Sequence, residues 1–241
     1  MRIIKLNATD STNGFLRNLS LDSPIEDYTT VVTYNQTHGR GQMGTSWQSQ
    51  PFKNLTFSVY KKFKVFPFEQ QFNISMSVSL AIIKALETLN IPKLSVKWPN
   101  DILSANQKIC GVLIENVIKQ NQIESSIIGI GLNINQLQFD NLPQASSLKS
   151  ITGVNYNLDE VLHVVLNYLA LEFESFDNDT SSLKSNYESY LFRKEKPSTF
   201  ETAEGLFSGI IKGVSNQGLL EVQIEDQVLK TFDLKTVKLL Y

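Results

Sequence analysis

Apolar residues recur at intervals of three and four between positions 68 and 89. The shared face carries Phe72, Met76, Leu80, Ile83 and Leu86. Because an α-helix completes a turn in 3.6 residues, this spacing predicts an amphipathic helix. Asn90 and Pro92 follow the last apolar position and are residues that end helices.

The same spacing returns over 158–176 and predicts a second long helix. Its apolar face carries Val161, Leu162, Val165, Leu169 and Phe173. A further helix is predicted near 182–193. Close to the N-terminus, Asp10 or Ser11 is suited to cap a helix that buries Phe15, Leu16 and Leu19.

Short apolar or alternating segments predict strands between these helices. The predicted strands cover residues 2–6, 29–34, 54–63, 93–98, 108–118 and 123–135. In 54–63 the apolar residues alternate with polar ones, which is typical of a half-exposed strand. The last two strands are separated by the polar tetrapeptide KQNQ, which suits an antiparallel hairpin.

After the segment RKEKP the pattern changes, and residues 198–241 contain short β-rich runs separated by glycines with no helical period. This segment predicts a small five-stranded barrel, too small to be stable unless it docks on the main body. We therefore predict an α+β protein with a main domain over 1–193 and a C-terminal β domain over 198–241.

Composition narrows the function classes. Of the 241 residues, 41% are hydrophobic and 19% charged, and 22 Lys and Arg against 24 Asp and Glu leave a net charge of −2. This balance argues against a general binder of nucleic acid or anionic membranes. A single cysteine and two histidines exclude an internal disulfide and disfavour a zinc site. With no signal peptide and no long apolar run, we expect a cytoplasmic protein.

The stretch THGRGQMGTSW, residues 37–47, resembles two phosphate-binding patterns and satisfies neither. A dinucleotide fingerprint needs a helix after its third glycine, whereas Pro51 and no helical period follow here. A P-loop needs a lysine where Thr45 stands. Two interpretations stay open, a surface turn and a flexible loop in which Arg40 and backbone N–H groups bind an anion.

Two further motifs carry polar residues at strand ends. In VKWPND, Asn100 and Asp101 follow a proline, and Lys108 lies seven residues beyond Asp101. In IGIGLN, glycines such as Gly131 interrupt an apolar strand that leads to Asn133, which suggests that something approaches the backbone closely. Alone, each motif is equally compatible with a turn, a solvated lysine or a buried asparagine.

Taken in order, five motifs closely resemble those of the biotin–protein ligases, over nearly the whole chain. These are DSTN, QTHGRGQMGTSW, KWPND, KICGVLIE and GIGLN. The resemblance implies a mixed central sheet flanked by helices, like that of class II synthetases, and a C-terminal SH3-like barrel. It also implies two-step chemistry, in which biotin and MgATP give biotinyl-5′-AMP and pyrophosphate before a lysine of a carboxylase carrier domain takes the biotinyl group.

The resemblance also implies roles for individual residues. Arg40, Lys108 and Asp101 would be catalytic. Nucleotide binding would fall to Asn100, Asn133, Gly131 and Trp47. The biotin site would be lined by Ser11, Thr12, Asn13, Gln36, Arg40, Gly41, Gln42 and Lys108. No resident metal is expected, and Mg²⁺ would enter with ATP.

This chain departs from the family pattern at Gln42, where several members have a second arginine. It begins at the first catalytic strand, without the helix-turn-helix that bifunctional members carry, so DNA binding is not expected. Exposed sheet edges leave a homodimer open. The alternatives are a lipoate–protein ligase, whose Arg-rich triple-glycine segment is not found here, and a non-catalytic biotin or adenylate sensor.

Overall fold

A computed structural model describes residues 1–178 and 181–241, which form two β-sheets and five α-helices. The helices are α1 Thr12–Asp22, α2 Gln71–Thr88, α3 Leu148–Thr152, α4 Leu158–Asn178 and α5 Leu183–Ser189. None of the described helices combines the length and the apolar character needed to cross a membrane.

The larger sheet has seven strands in the order β1-β2-β3-β7-β6-β5-β4. Its strands are β1 Ile3–Thr9, β2 Thr30–Gln36, β3 Leu55–Lys62, β4 Leu94–Lys97, β5 Asp101–Ser104, β6 Gln107–Lys119 and β7 Gln122–Leu132. β1 and β2 pair in parallel and the remaining neighbours pair antiparallel, so the sheet is mixed. The predicted hairpin between β6 and β7 is confirmed.

Helices cover this sheet from both sides. α1 packs against β2, β3 and β7, where Leu16 is fully buried, while α2 and α4 pack together over the main hydrophobic core. The prediction of a half-exposed strand at 54–63 is therefore wrong. β3 lies in the centre of the sheet, and both its apolar residues and alternating polar ones such as Ser58 are buried.

Two short elements were not predicted, α3 and β5, because their five and four residues are too few to show a period. One other prediction needs correction. The helix predicted over 182–193 ends at Ser189, and Leu191 then forms a parallel bridge with Val96. Backbone pairing with β4 thus replaces the last helical turn.

The C-terminal residues form a second sheet with the order β11-β10-β9-β8-β12. Its strands are β8 Pro197–Thr202, β9 Gly205–Val214, β10 Leu220–Gln223, β11 Leu229–Phe232 and β12 Lys238–Leu240. The five predicted strands are confirmed. No pairing among the described residues joins β11 to β12, so the sheet is an open succession of strands.

This second sheet is fixed to the main body at Gly218 and Glu188. The indole Nε1 of Trp98 donates to the carbonyl oxygen of Gly218 at 2.8 Å. Glu188, on α5, accepts from the backbone N–H of Val214 at 3.1 Å and from Lys194 Nζ at 3.0 Å. Such docking supplies the support that so small a sheet needs.

Gly218 is a position where a side chain is expected to be destabilising. Its φ is +85°, and a Cβ atom there would lie 2.3 Å from Cγ of Phe72, whose ring packs edge-on against Tyr187. We expect Gly218→Ala to lower the free energy of unfolding by about 2–4 kcal/mol, through backbone strain and overpacking together. Urea unfolding followed by circular dichroism measures the loss.

Gly153→Ala is the matched control for this substitution. Gly153 has a φ of +76°, but no atom lies within 4 Å of its added Cβ. It should show the strain alone, about 1 kcal/mol. Equal losses in the two variants would contradict the packing between Gly218 and Phe72.

Candidate active site

A cavity of about 310 Å³ opens where the loop 37–47 crosses the ends of β3, β6 and β7. The N-terminus of α1 and the segment 97–101 complete its walls, and Leu234 reaches it from the C-terminal sheet. The cavity is lined by every predicted site residue but one: Ser11, Thr12, Asn13, Gln36, Arg40, Gly41, Gln42, Trp47, Asn100, Asp101, Lys108 and Gly131.

The polar floor of the cavity comes from the start of α1. Ser11 caps the helix, and its hydroxyl accepts from the backbone N–H of Gly14 at 3.3 Å. This cap turns Thr12 and Asn13 inwards, and both are buried. Gln36 lies at the end of β2, and its Oε1 accepts a hydrogen bond from the backbone N–H of Thr12 at 2.8 Å.

Sequence reasoning missed Ser58, which lies directly behind this floor. Its hydroxyl is 2.7 Å from Thr12 Oγ1 and 2.5 Å from Asn13 Oδ1. Gly129, on the neighbouring β7, leaves the room that Asn13 needs, since a Cβ there would lie 2.3 Å from Asn13 Oδ1. The sequence carried no signal for Ser58, because it is one of several polar residues that alternate along β3 and its burial depends on the packing of α1.

Glu115 was also missed, although it ends the motif KICGVLIE. Its Oε2 accepts from Asn13 Nδ2 at 2.8 Å and from Arg40 Nη2 at 3.2 Å. Its Oε1 pairs with Arg17 Nη2 at 2.9 Å. Glu115 thus connects the floor of the cavity with the arginine of the glycine loop.

Lys108 and Asp101 form an ion pair across two strands of the cavity wall. Lys108 Nζ lies 2.7 Å from Asp101 Oδ1, and a register shift between Ile102 and Leu103 of β5 accompanies this approach. Both side chains are partly buried. The pair leaves the lysine's other N–H donors available to an anion in the cavity.

Lys97 is a second lysine of the cavity wall that the sequence did not single out. Burial lowers the pKa of its ammonium group, with Lys108 and Lys238 acting in the same direction and Asp101 opposing them. Its Nζ lies 4.6 Å from the ring centre of Tyr241, within reach of a cation–π interaction. The charged form of Lys97 is therefore disfavoured by its burial in the cavity wall.

Glycines let Trp47 lie flat against the sheet. A Cβ on Gly131 would be 2.2 Å from the indole, and one on Gly111 would be 3.1 Å from it. Lys108 Nζ lies 5.7 Å from the indole ring centre. Within the described chain, Trp47 Nε1 and Gln42 Oε1 are buried without a hydrogen-bond partner. A polar ligand could satisfy both atoms.

Asn133 lies outside the cavity, immediately after β7. It is buried, and its Nδ2 donates to the carbonyl oxygen of Ser146 at 3.0 Å. Its backbone N–H bonds to the carbonyl oxygen of Ile109 at 2.8 Å. The structure therefore places Asn133 beneath the wall that carries Lys108.

The glycine loop is held at its base by Asp10, and an antiparallel bridge between Arg40 and Ser46 closes its tip. Thr37 Oγ1 and His38 Nδ1 both contact Asp10 Oδ1, at 2.7 and 3.2 Å, and lower the pKa of that carboxyl. As predicted, no α-helix follows the third glycine. A single 3₁₀ turn over Gln42–Gly44 stands there instead.

Proteins with similar sequences and folds are already known. Residues 6–133 match the model of the biotin/lipoate A/B protein ligase family. The chain is 28% identical over 210 residues to the bifunctional ligase/repressor BirA of Bacillus spizizenii, covering 85% of this chain and 64% of that protein. The chain thus spans less than two thirds of that relative.

Solved structures resemble the whole described fold. The biotin protein ligase of Aquifex aeolicus in complex with biotin and ATP superposes with a TM-score of 0.81, at 27% identity and with 99% of this chain and 98% of that chain covered. By sequence alone, the chain is also 25% identical to the biotin–[acetyl-CoA-carboxylase] ligase of Mycobacterium tuberculosis, over 74% of this chain and 66% of that protein.

Proposed function

Since the chain belongs to the biotin/lipoate A/B protein ligase family, we propose that it is a biotin–protein ligase that attaches biotin to a lysine of a carboxylase carrier domain. One observation carries the proposal. A single cavity combines a polar floor, from the buried Thr12 and Asn13 and the half-buried Gln36, with the cations Arg40 and Lys108.

In the first step the carboxylate of biotin attacks the α-phosphate of MgATP. The product is biotinyl-5′-AMP, and pyrophosphate leaves. Two anions must approach each other, so donors aimed at the developing charge lower the barrier. We assign this task to Lys108 and Arg40. Asp101 holds Lys108 Nζ at 2.7 Å and so fixes its position.

In the second step the lysine amine of the carrier attacks the acyl carbon of the adenylate, and AMP leaves. The attacking amine must lose a proton, and we propose that Asp101, the carboxylate that lines the cavity beside Lys108, accepts it.

The adenylate hydrolyses in water, so we propose that the loop 37–47 closes over it. For the nucleotide we propose contacts with Asn100, Trp47 and the backbone at Gly131. We assign Asn133 to positioning the wall that Lys108 occupies.

We propose two domains, a catalytic domain over 1–193 and an SH3-like domain over 198–241. The contacts of Trp98 with Gly218 and of Glu188 with Val214 support a C-terminal domain docked beside the cavity. Leu234 lines the cavity, so this domain contributes to the site itself.

The polar floor favours biotin over lipoate, the other substrate that the family's description names. The ring of biotin is a cyclic urea with N–H donors and a carbonyl acceptor, whereas the dithiolane ring of lipoate is apolar. A floor built from buried hydroxyl and amide groups loses hydrogen bonds when an apolar ring covers it. The ion pair of Lys108 with Asp101 in turn favours an enzyme over a non-catalytic sensor.

Incubation with biotin, MgATP and a purified biotin carrier domain tests the function. We expect intact-protein mass spectrometry to show one added biotinyl group per carrier, only when ATP is present. A parallel reaction that contains lipoate in place of biotin would identify a lipoate ligase if lipoate were attached and biotin were not. Tight biotin binding without any transfer would identify a sensor.

A further inference from the structure

A continuous line of hydrogen bonds runs behind the cavity floor from Glu115 to Thr12. Glu115 Oε2 lies 2.8 Å from Asn13 Nδ2, and Asn13 Oδ1 lies 2.5 Å from Ser58 Oγ. Ser58 Oγ lies 2.7 Å from Thr12 Oγ1, which is also 3.3 Å from Gln36 Oε1. Of these groups, only Thr12 and Asn13 and the amide of Gln36 line the cavity, whereas Glu115 and Ser58 stand behind them.

The carboxylate at one end fixes the direction of the first two bonds. Glu115 forms ion pairs with Arg17 and Arg40, and in these pairs its carboxylate oxygens only accept hydrogen bonds. The amide of Asn13 must therefore turn its NH₂ group towards Glu115, which leaves its oxygen facing Ser58. Since an amide oxygen has no hydrogen to donate, the single hydroxyl proton of Ser58 is committed to Asn13.

The direction of the last bond follows. Once Ser58 has given its proton to Asn13, its oxygen is an acceptor towards Thr12. The other protein neighbour of the Thr12 hydroxyl, Gln36 Oε1, is an acceptor as well. Whichever of the two it chooses, Thr12 donates its proton into the protein and leaves only lone pairs for a ligand.

We propose that Glu115 and Ser58 are positioning residues that make the Thr12 hydroxyl an obligatory acceptor, so that the cavity selects a ligand with a ring N–H group. This inference rests on the proposed function, because the ligand meant is biotin, whose cyclic urea carries two such groups. A ligand with a ring oxygen in place of that N–H sets lone pairs against lone pairs. Polar sites of this kind reject such analogues strongly.

The test compares ligands on the full chain by isothermal titration calorimetry. The probes are biotin and the two analogues in which one or the other ring N–H is replaced by oxygen. In the unaltered protein we expect biotin to bind more tightly than one of the analogues by on the order of 10²-fold or more. In each variant the affinity for biotin is divided by the affinity for that analogue, so a loss of binding that affects both ligands equally cancels.

Two substitutions should remove the constraint on the direction of these hydrogen bonds. In Glu115→Gln the new amide can donate to Asn13 Oδ1, and only the longer contact with the Leu113 carbonyl oxygen, at 3.3 Å, still holds the Asn13 NH₂ group, so Asn13 can turn round. Ser58 can then donate to Thr12, and Thr12 can donate to the ring oxygen. In Ser58→Ala the Thr12 hydroxyl keeps only the longer contact with Gln36 Oε1, at 3.3 Å, as a protein acceptor, so its proton can turn to a ring oxygen instead. We expect the preference for biotin to fall at least about tenfold in both, since a mismatched acceptor pair becomes a hydrogen bond.

Two further variants separate polarity from packing. Glu115→Asp keeps an acceptor-only carboxylate and should retain the preference even if biotin binds less tightly. Ser79→Ala removes an equally buried hydroxyl, bonded to the Ser75 carbonyl oxygen in α2, and should change nothing.

An unchanged preference in folded Glu115→Gln and Ser58→Ala would overturn the inference and leave the proposed function intact. Loss of the preference in Glu115→Asp as well as in Glu115→Gln would also overturn it, because packing alone would then explain both. If the unaltered protein bound no biotin, the proposed function would fail, and this inference with it.

Discussion

Lys108→Met is expected to slow the formation of biotinyl-5′-AMP by about 10²–10³-fold, the usual effect of losing one donor aimed at transition-state charge. Lys108 Nζ lines the cavity and is held by Asp101 at 2.7 Å, so its charge is already in place before the anions meet. Methionine keeps most of the side-chain volume and removes only the charge. Single-turnover assays with radiolabelled ATP measure the rate.

Lys119→Met is the matched control, because Lys119 lies at the exposed tip of the β6–β7 hairpin and pairs with Glu124 at 3.4 Å. It should leave the rate within about twofold of the unaltered protein, as surface pairs of this kind contribute little. A loss of less than threefold in folded Lys108→Met would remove Lys108 from the catalytic groups. Unfolding curves for both variants show whether Asp101, left without its partner, has destabilised the fold.

Arg40→Ala is expected to release biotinyl-5′-AMP into solution about 10–100-fold faster, the range for losing a hydrogen bond to a charged group. Arg40 belongs to the loop over the cavity, and its Nη2 donates to Glu115 Oε2 at 3.2 Å. The loop around it offers little other positive charge, since Gln42 stands two residues on. Chromatography of the filtrate from a reaction without carrier measures the free adenylate.

Arg17→Ala separates this role from the support of Glu115. Arg17 bonds the same carboxylate at 2.9 Å but does not line the cavity. We expect it to retain the adenylate about as well as the unaltered protein. If both arginine variants leaked equally, the contact with Glu115 would explain the effect, and Arg40 would have no direct part in holding the adenylate.

Local sequence was enough for the elements whose period is long or whose turn is distinctive. The 18-residue helix α2 and the β6–β7 hairpin lie where apolar spacing and the KQNQ turn predicted them. Twelve of the predicted site positions line one cavity, yet each of their motifs alone was equally compatible with a turn or a solvated side chain. Their order along the chain, which resembles that of the biotin–protein ligase motifs, is what predicted that they form one site.

The sequence failed where the partner of a residue lies far along the chain. Ser58 was taken as an exposed alternating position, but α1 covers that face of β3, and the hydroxyl bonds to side chains 45 and 46 residues away. Glu115 meets Asn13 across 102 residues, and the pKa of Lys97 is lowered by burial and by charges that include that of Lys238 in the C-terminal sheet. No local period reports such contacts.

The sequence by itself thus determined the helices α1, α2 and α4, the hairpin, the presence of a C-terminal β segment and the family. Only the tertiary structure decided that β3 is buried on both faces, that Asn133 lies outside the cavity and that Glu115 joins its floor to the loop. Backbone periodicity is a property of neighbouring residues and can be seen in the chain. Burial, ion pairing and the direction of a hydrogen bond depend on groups that only folding brings together.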